Sequence, residues 1–230
     1  MFNHAMGPEG DEMDEVIVRV LRTVACRARL RLLSHLLGTR EATPSQLAQA
    51  LGMSLDLVSA HLARLTGAGL ITRRRSGLRC FCIARSPYRD TAFSSQVLAW
   101  LRETLSAPSR AGQRPSGASA TREAPTARLL EAHATVFHAV TAFTNLRRLQ
   151  ILRRLADGEP AAGAALVREL RMSGAALCRH MRKLARRGYI RSTSRKGKRL
   201  YQLSRDGATP SHARLLTIVA AHGPERELHT

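Results

Sequence analysis

Basic side chains that could bind phosphate are grouped around two glycine-containing turns, one in each half of the chain. Three consecutive arginines precede the turn at Ser76-Gly77, and a second basic run surrounds Gly197. Guanidinium and ammonium groups neutralise phosphate and release its counterions, so these runs predict contacts with the backbone or minor groove of a nucleic acid. The predicted contact residues of the two hairpins are Arg73, Arg74, Arg75, Arg79, Arg195, Lys196, Lys198 and Arg199.

Further polar and basic residues recur at helical spacing upstream of each turn. Such residues near the start of a helix can contact base edges, and their neighbours can contact phosphate. Asp56 on the first of these helices would face phosphate, whereas the second presents mainly cations. We therefore expect the second helix to bind DNA more strongly, with Arg179 as its base contact. The predicted contact residues are Ser59 and Arg64 on the first helix, and Ser173, Arg179, Arg182, Lys183 and Arg186 on the second.

Cysteine, histidine and acidic residues give weaker chemical signals. Cys80 and Cys82 share one face of a predicted strand, and Cys178 lies on the second basic helix, so a redox role is open beside the ordinary interpretation of buried free thiols. The spacing of His212 and His222 does not suit one metal site, and we predict no metal and no cofactor. Neither a phosphate-binding glycine loop nor a catalytic triad is evident, so the sequence predicts a protein that is not an enzyme.

The overall charge favours a polyanionic partner. The 230 residues contain 37 Lys and Arg against 17 Asp and Glu, which gives a formal charge of +20 and an isoelectric point near 11.6. The sequence contains no apolar run of the roughly 20 residues that a membrane span needs. The acidic N-terminus also lacks the layout of a signal peptide. These features predict a cytoplasmic protein that binds nucleic acid and has no membrane partner.

The positions of the candidate residues follow from an internal repeat. A shift of 119 residues aligns residues 30–71 with residues 149–190 without a gap and gives twelve identities. Each copy predicts a helix, a short second helix, a third helix that Ser54 or Ser173 caps, and a hairpin. One inserted residue in the second turn would align Gly77 with Gly197.

The repeat predicts a mainly α fold with small β-hairpin wings, built from two tandem winged helix-turn-helix domains. Apolar helices at residues 14–23 and 90–105 would complete the first domain, and helices at 127–143 and 211–221 the second. The predicted segments are an acidic tail at 1–13, the first domain at 14–106, a flexible linker at 107–125, the second domain at 126–222 and a C-terminal tail at 223–230.

The repeated motifs resemble those of the ArsR-type winged-helix regulators. The first copy carries the pattern as Leu47-Ala48, Ser59-Ala60-His61-Leu62 and Gly69-Leu70-Ile71, and the second copy carries Arg179-His180-Met181 and Gly188-Tyr189-Ile190. The resemblance implies a transcriptional regulator that binds duplex DNA. Members of that family usually act as homodimers with one such domain per subunit, so a tandem chain departs from the pattern.

Two functions remain open on the sequence alone. The first is sequence-specific DNA binding to control transcription, with repression as the expected outcome. Its two domains would form an intramolecular pseudo-dimer, or would pair with a second chain, through their terminal helices. The alternative is an architectural or assembly protein that binds DNA nonspecifically with one winged helix and a protein partner with the other.

Overall fold

A computed structural model describes residues 8–106, 124–156, 158–195 and 198–223 of the chain. These residues are mainly helical, with two small antiparallel sheets. The predicted linker at 107–125 lies outside them except for its last two residues, which are helical. Helix also extends to Pro8, so part of the predicted acidic tail is helical, as expected where proline and acidic residues stand in a first turn.

The first half of the chain follows the predicted order of elements. Thr43 caps the short second helix through a capping box with Gln46, and proline occupies its first position. Ser54 caps the next helix by accepting a hydrogen bond from the Leu57 N–H. The elements are α1 Pro8–Val24, α2 Arg27–Gly38, α3 Pro44–Leu51, α4 Leu55–Gly67, β1 Thr72–Ser76, β2 Arg79–Ile83 and α5 Phe93–Ser106.

The second half shows a similar order. Ser173 caps α9 by accepting a hydrogen bond from the Ala176 N–H, and this cap is equivalent to that of Ser54 on α4. A two-residue strand at Ala161–Ala162 is the only element of the described residues that neither the repeat nor the apolar stripes predicted. The elements are α6 Ala124–Val140, α7 Leu146–Ala156, β3 Ala161–Ala162, α8 Gly163–Glu169, α9 Gly174–Arg186, β4 Ile190–Arg195, β5 Lys198–Leu203 and α10 Pro210–Ala221.

The registers of the two hairpins correct the predicted insertion. Ser76 pairs with Arg79 in the first hairpin, and Arg195 pairs with Lys198 in the second. Two residues therefore lie between the closing pairs in both hairpins, and the shift of 119 residues continues through the turn. The predicted extra residue was wrong because the prediction aligned Gly77 with Gly197. Gly77 is the first of the two residues between the closing pair of its hairpin, whereas Gly197 is the second.

The turn between α3 and α4, and the equivalent turn between α8 and α9, each contain a residue in the left-handed conformation. Gly52 has a φ of 62°, and the equivalent Arg171 has a φ of 47°. Glycine adopts this conformation without steric strain, whereas a residue with a Cβ does so at a cost. The repeat therefore preserves the backbone of this turn although the residue type has changed.

The chain forms two compact units whose boundaries differ from the predicted domains. Of the described residues, those up to Arg22 and those from Ala139 onward form unit A, and those within Thr23–His138 form unit B. Most of α1 therefore belongs with α7 to α10, and most of α6 belongs with α2 to α5. The amphipathic stripes predicted that these helices bury one face, but the stripes did not specify which half of the chain would cover it.

Polar side-chain contacts hold α1 in unit A and α6 in unit B. In unit A, Asp14 of α1 is fully buried and accepts hydrogen bonds from Arg153 of α7, at 2.8 Å from Nη2 and 3.2 Å from Nε. In unit B, Ser34 of α2 and His133 of α6 share a hydrogen bond of 2.5 Å. Asp14 and His133 are 119 residues apart, as are Ser34 and Arg153. The two units therefore place repeat-equivalent residues in equivalent contacts.

Candidate nucleic-acid interface

The outer face of α9 consists of the exposed residues Ala175, Cys178, Arg179, Arg182 and Arg186. The opposite face of the helix packs into unit A, where its apolar residues are buried, and this packing fixes which side chains point outward. Within the described ranges, neither Arg179 nor Arg182 has an ion pair or a side-chain hydrogen bond. Both guanidinium groups are therefore available to a ligand.

The electrostatic surroundings of α9 are strongly positive. The helix contains four basic residues and no acidic one. Lys183 is half-buried, and its pKa is lowered by desolvation and then by the charges of Arg148, Arg187 and Arg186. A lysine whose neighbours disfavour its charged form lies in a positive potential, and such a potential attracts phosphate.

Ser173 has a structural role that the sequence also predicted for it. Its hydroxyl oxygen accepts the hydrogen bond that caps α9, at 3.2 Å from the Ala176 nitrogen. The side chain is exposed. Its predicted contact with DNA would therefore have to be made by a hydroxyl group that already caps the helix.

The outer face of α4 consists of Asp56, Ser59, Ala60, Ala63 and Arg64, all exposed. The helix contains one acidic residue and one arginine, so it lacks the positive charge of α9. Ser59 and Arg64 thus lie on the surface where the sequence placed them. Equivalent faces on the two repeats consequently present different chemistry.

All four arginines of the first hairpin are exposed, but one of them has side-chain partners within the protein. Arg73, Arg75 and Arg79 are exposed, and among the described residues they form no ion pair. Arg74 differs because its Nη2 lies 2.9 Å from both carboxylate oxygens of Glu41, and its guanidinium lies 5.3 Å from the centre of the Phe81 ring. The predicted phosphate contact is therefore better supported for the other three arginines.

The second hairpin exposes Arg195 near its turn and Arg199 on the return strand. Lys196 lies outside the described residues. Lys198 begins β5, but its side chain lies outside what the structure describes. The basic character of this wing therefore rests on the two described arginines.

The cysteines are free thiols in three different environments. Cys178 is exposed on α9, Cys80 is half-buried and Cys82 is fully buried. Burial raises the pKa of the Cys82 thiol, although the charge of Arg73 acts in the opposite direction. A raised pKa disfavours the reactive thiolate at Cys82. The redox role of Cys80, Cys82 and Cys178 remains a prediction.

Two buried arginines were not among the predicted site residues. Arg148 lies in the first turn of α7 and donates to the Ala142 carbonyl at 2.7 Å and the Thr141 carbonyl at 3.0 Å. Arg29 is its equivalent in α2 and donates to the Thr23 carbonyl at 2.5 Å. These groups satisfy carbonyls at and just beyond the end of the preceding helix. The signal in the sequence was the repeated Arg-Leu pair ahead of an apolar stripe.

The charge of each buried arginine acts on a repeated histidine, Arg29 on His61 and Arg148 on His180. Desolvation lowers the pKa of His61, and the charges of Arg29 and Arg64 lower it further. Desolvation also lowers the pKa of His180, followed by the charges of Arg148, Arg179 and Arg147. The buried Nδ1 of His61 has no hydrogen-bond partner among the described residues. Both rings therefore favour the neutral form, which suits a packing role.

The described residues give no sign of a metal centre or a membrane span. They contain no group of three or more His, Cys, Asp or Glu side chains placed to hold a metal ion. None of the helices in the described ranges is long and apolar enough to cross a bilayer.

Comparison with known proteins identifies the first helix-turn-helix segment. Residues 27–78, which run from α2 into the turn of the first hairpin, match the model of the MarR family. The ArsR-type assignment remains a prediction. Among solved structures, reduced HlyU from Vibrio cholerae N16961 is 24% identical, with a TM-score of 0.35 over 42% of this chain and 96% of its own. No curated protein sequence matches the chain.

Proposed function

We propose that the chain is a transcriptional regulator that binds duplex DNA through two winged helix-turn-helix domains in tandem. The observation that carries the proposal is the outer face of α9, where Arg179 and Arg182 are exposed and have no partner among the described residues. On this proposal Arg179 contacts a base edge, and the basic residues around it contact phosphate. Within each unit, the exposed arginines of the hairpin contact the phosphate backbone or the minor groove beside that unit's own helix.

The winged-helix domain at residues 27–78 supports this function, and the repeat supports a second domain of the same kind. The equivalent capped helices, the equivalent left-handed turn and the constant shift of 119 residues all favour the tandem arrangement. The net charge of +20 is suited to a polyanion. The protein would act in the cytoplasm, where bacterial-type regulators meet DNA.

The placement of α1 with the second half of the chain, and of α6 with the first half, favours an intramolecular pseudo-dimer over a homodimer. Asp14 with Arg153, and His133 with Ser34, form equivalent contacts that two identical chains would otherwise have to supply. A single chain therefore has the means to provide both halves of a pseudo-symmetric assembly. We infer that repression is its mode of action, because two DNA-binding domains can block a promoter by occupancy alone.

Selection of bound sequences from a random DNA pool tests the proposed function. The expected result is a defined motif, and competition with random DNA across a salt series should retain a specific component at high salt. Replacing Arg179 with alanine should weaken binding to the selected site about tenfold to a hundredfold, corresponding to about 1–3 kcal/mol for a base contact.

Two matched controls sharpen this experiment. Arg64→Ala removes a cation from α4 and should have a smaller effect than Arg179→Ala, and equal losses would contradict the predicted dominance of α9. Arg102→Ala removes an exposed cation from α5, outside the proposed interface, and should leave affinity nearly unchanged.

A second candidate function follows from the weak charge of α4. If that helix does not bind DNA, the chain could be an architectural protein that binds DNA nonspecifically through α9 and a protein partner through α4. The salt series separates the two candidates, because a nonspecific binder has the same affinity for the selected and the random duplex at every salt concentration.

A further inference from the structure

The outer faces of α4 and α9 occupy equivalent places in the repeat but suit different bases. Asp56 and Ala60 of α4 stand where α9 has Ala175 and Arg179. An arginine binds the two acceptors of guanine in the major groove, whereas a carboxylate accepts a hydrogen bond from the amino group of cytosine. The difference between the helices is therefore a difference in the base edge that each can bind.

Asp56 is well placed for such a contact. It lies in the first turn of α4 and is exposed, and no cation of the described residues forms an ion pair with it. The neighbouring hairpin presents the exposed Arg73 and Arg75, which can hold phosphate while the helix approaches the groove. A carboxylate held near phosphate by surrounding cations weakens binding to most sequences, so it needs a donor such as the cytosine amino group to offset the repulsion.

Ala60 at the centre of the same face is consistent with this arrangement. Its small side chain would allow the helix to approach the bases closely, and its methyl group would be able to contact the methyl group of thymine. The longer side chain of Arg179, at the equivalent position of α9, would clash with a thymine methyl group placed in this way. The exposed residues of the two helices are therefore suited to different half-sites.

We propose that Asp56 is a specificity-determining residue and that the chain binds a non-palindromic duplex, with guanine under α9 and cytosine under α4. This inference rests on the proposed function. A homodimer presents two identical helices and therefore matches a palindrome. Two diverged copies in one chain are free of that constraint, and the divergence of their outer faces is what such a duplex requires.

Selection from a random DNA pool with matched variants tests the proposal. The wild-type chain should select two unlike half-sites. Asp56→Asn should change the preference at one position from cytosine to adenine, because an asparagine side chain pairs with the amino group and N7 of adenine. Asp56→Glu should keep cytosine. Arg179→Ala should lose the guanine preference of the other half-site and leave the cytosine position intact.

Affinity measurements on the selected duplex provide the controls. Replacing the cytosine pair should weaken wild-type binding about tenfold and leave Asp56→Asn unaffected. Asp90→Asn removes an exposed carboxylate outside α4 and should not alter any base preference. Unfolding followed by circular dichroism should be similar for wild type and Asp56→Glu, which keeps the charge in the first turn of the helix.

The outcomes distinguish this inference from the proposed function. If the wild-type chain selects no sequence, the proposed function itself fails. A palindromic site would leave that function standing and overturn the asymmetric assignment. A single half-site that Asp56→Asn does not alter would indicate that α4 serves a protein partner. Uniformly tighter binding by Asp56→Asn, with no change in base preference, would show that Asp56 only repels phosphate.

Discussion

Removal of the Arg153 guanidinium should strongly destabilise unit A. Its Nη2 and Nε donate to the fully buried Asp14 carboxylate, at 2.8 and 3.2 Å. Its Nη1 also donates to the Val219 carbonyl at 3.0 Å, and Nη2 donates to the His222 carbonyl at 3.2 Å. The side chain therefore joins α1, α7 and the end of α10. Loss of one partner from a buried ion pair costs about 3–5 kcal/mol, and Arg153→Met should lower the free energy of unfolding by that amount.

A double-mutant cycle in urea, followed by circular dichroism, tests the contact itself. Asp14→Leu should also destabilise the protein, and the double variant should lose less than the sum of the two, with a coupling of about 1–3 kcal/mol. His133→Ala is the equivalent change in unit B and should cost less, because it removes a hydrogen bond and not an ion pair. Additive effects of the Asp14 and Arg153 substitutions would refute the packing of α1 on α7.

Three further predictions concern the backbone and pH. Gly52→Ala should cost about 1 kcal/mol, from its φ of 62° alone, because no atom lies within 4 Å of the added Cβ. Gly188→Ala should cost about 1–3 kcal/mol more, since its φ is 73° and the Cβ would lie 2.7 Å from that of Ala208; equal losses in urea unfolding would contradict this difference. The pKa values of His61 and His180 are lowered in the folded state, so below about pH 6.5 the unfolded chain binds more protons than the folded chain. The free energy of unfolding should therefore be highest above that pH and should fall as the pH drops toward the folded-state pKa values. Unfolding across pH should show a shallower slope for a variant with both histidines replaced by glutamine, and an unchanged slope would contradict the assignment.

The helix-turn-helix elements could be predicted because local patterns determine them. The cap at Ser54, the proline at the start of α3 and the apolar spacing of α4 each act within one or two turns of chain. The repeat added an independent check, since Ser173 plays the same part in the second half. These signals identify which side chains of the helices are outward.

The remaining features depend on contacts between distant residues. An apolar stripe on α1 predicts burial, but only the tertiary structure places Asp14 against Arg153. Arg74 belongs to a basic run in the sequence, yet its guanidinium donates a hydrogen bond to Glu41 and lies over the Phe81 ring. In each case the partner is too far along the chain for a local pattern to reveal it.

The stoichiometry of the complex with the selected duplex tests the central claim most directly. Native mass spectrometry of the full chain with that duplex should show one chain per duplex, and Arg179→Ala should lower the bound fraction at equal concentrations. Two chains on every duplex, or equal binding to a random duplex, would contradict a single chain that reads DNA through both of its repeats.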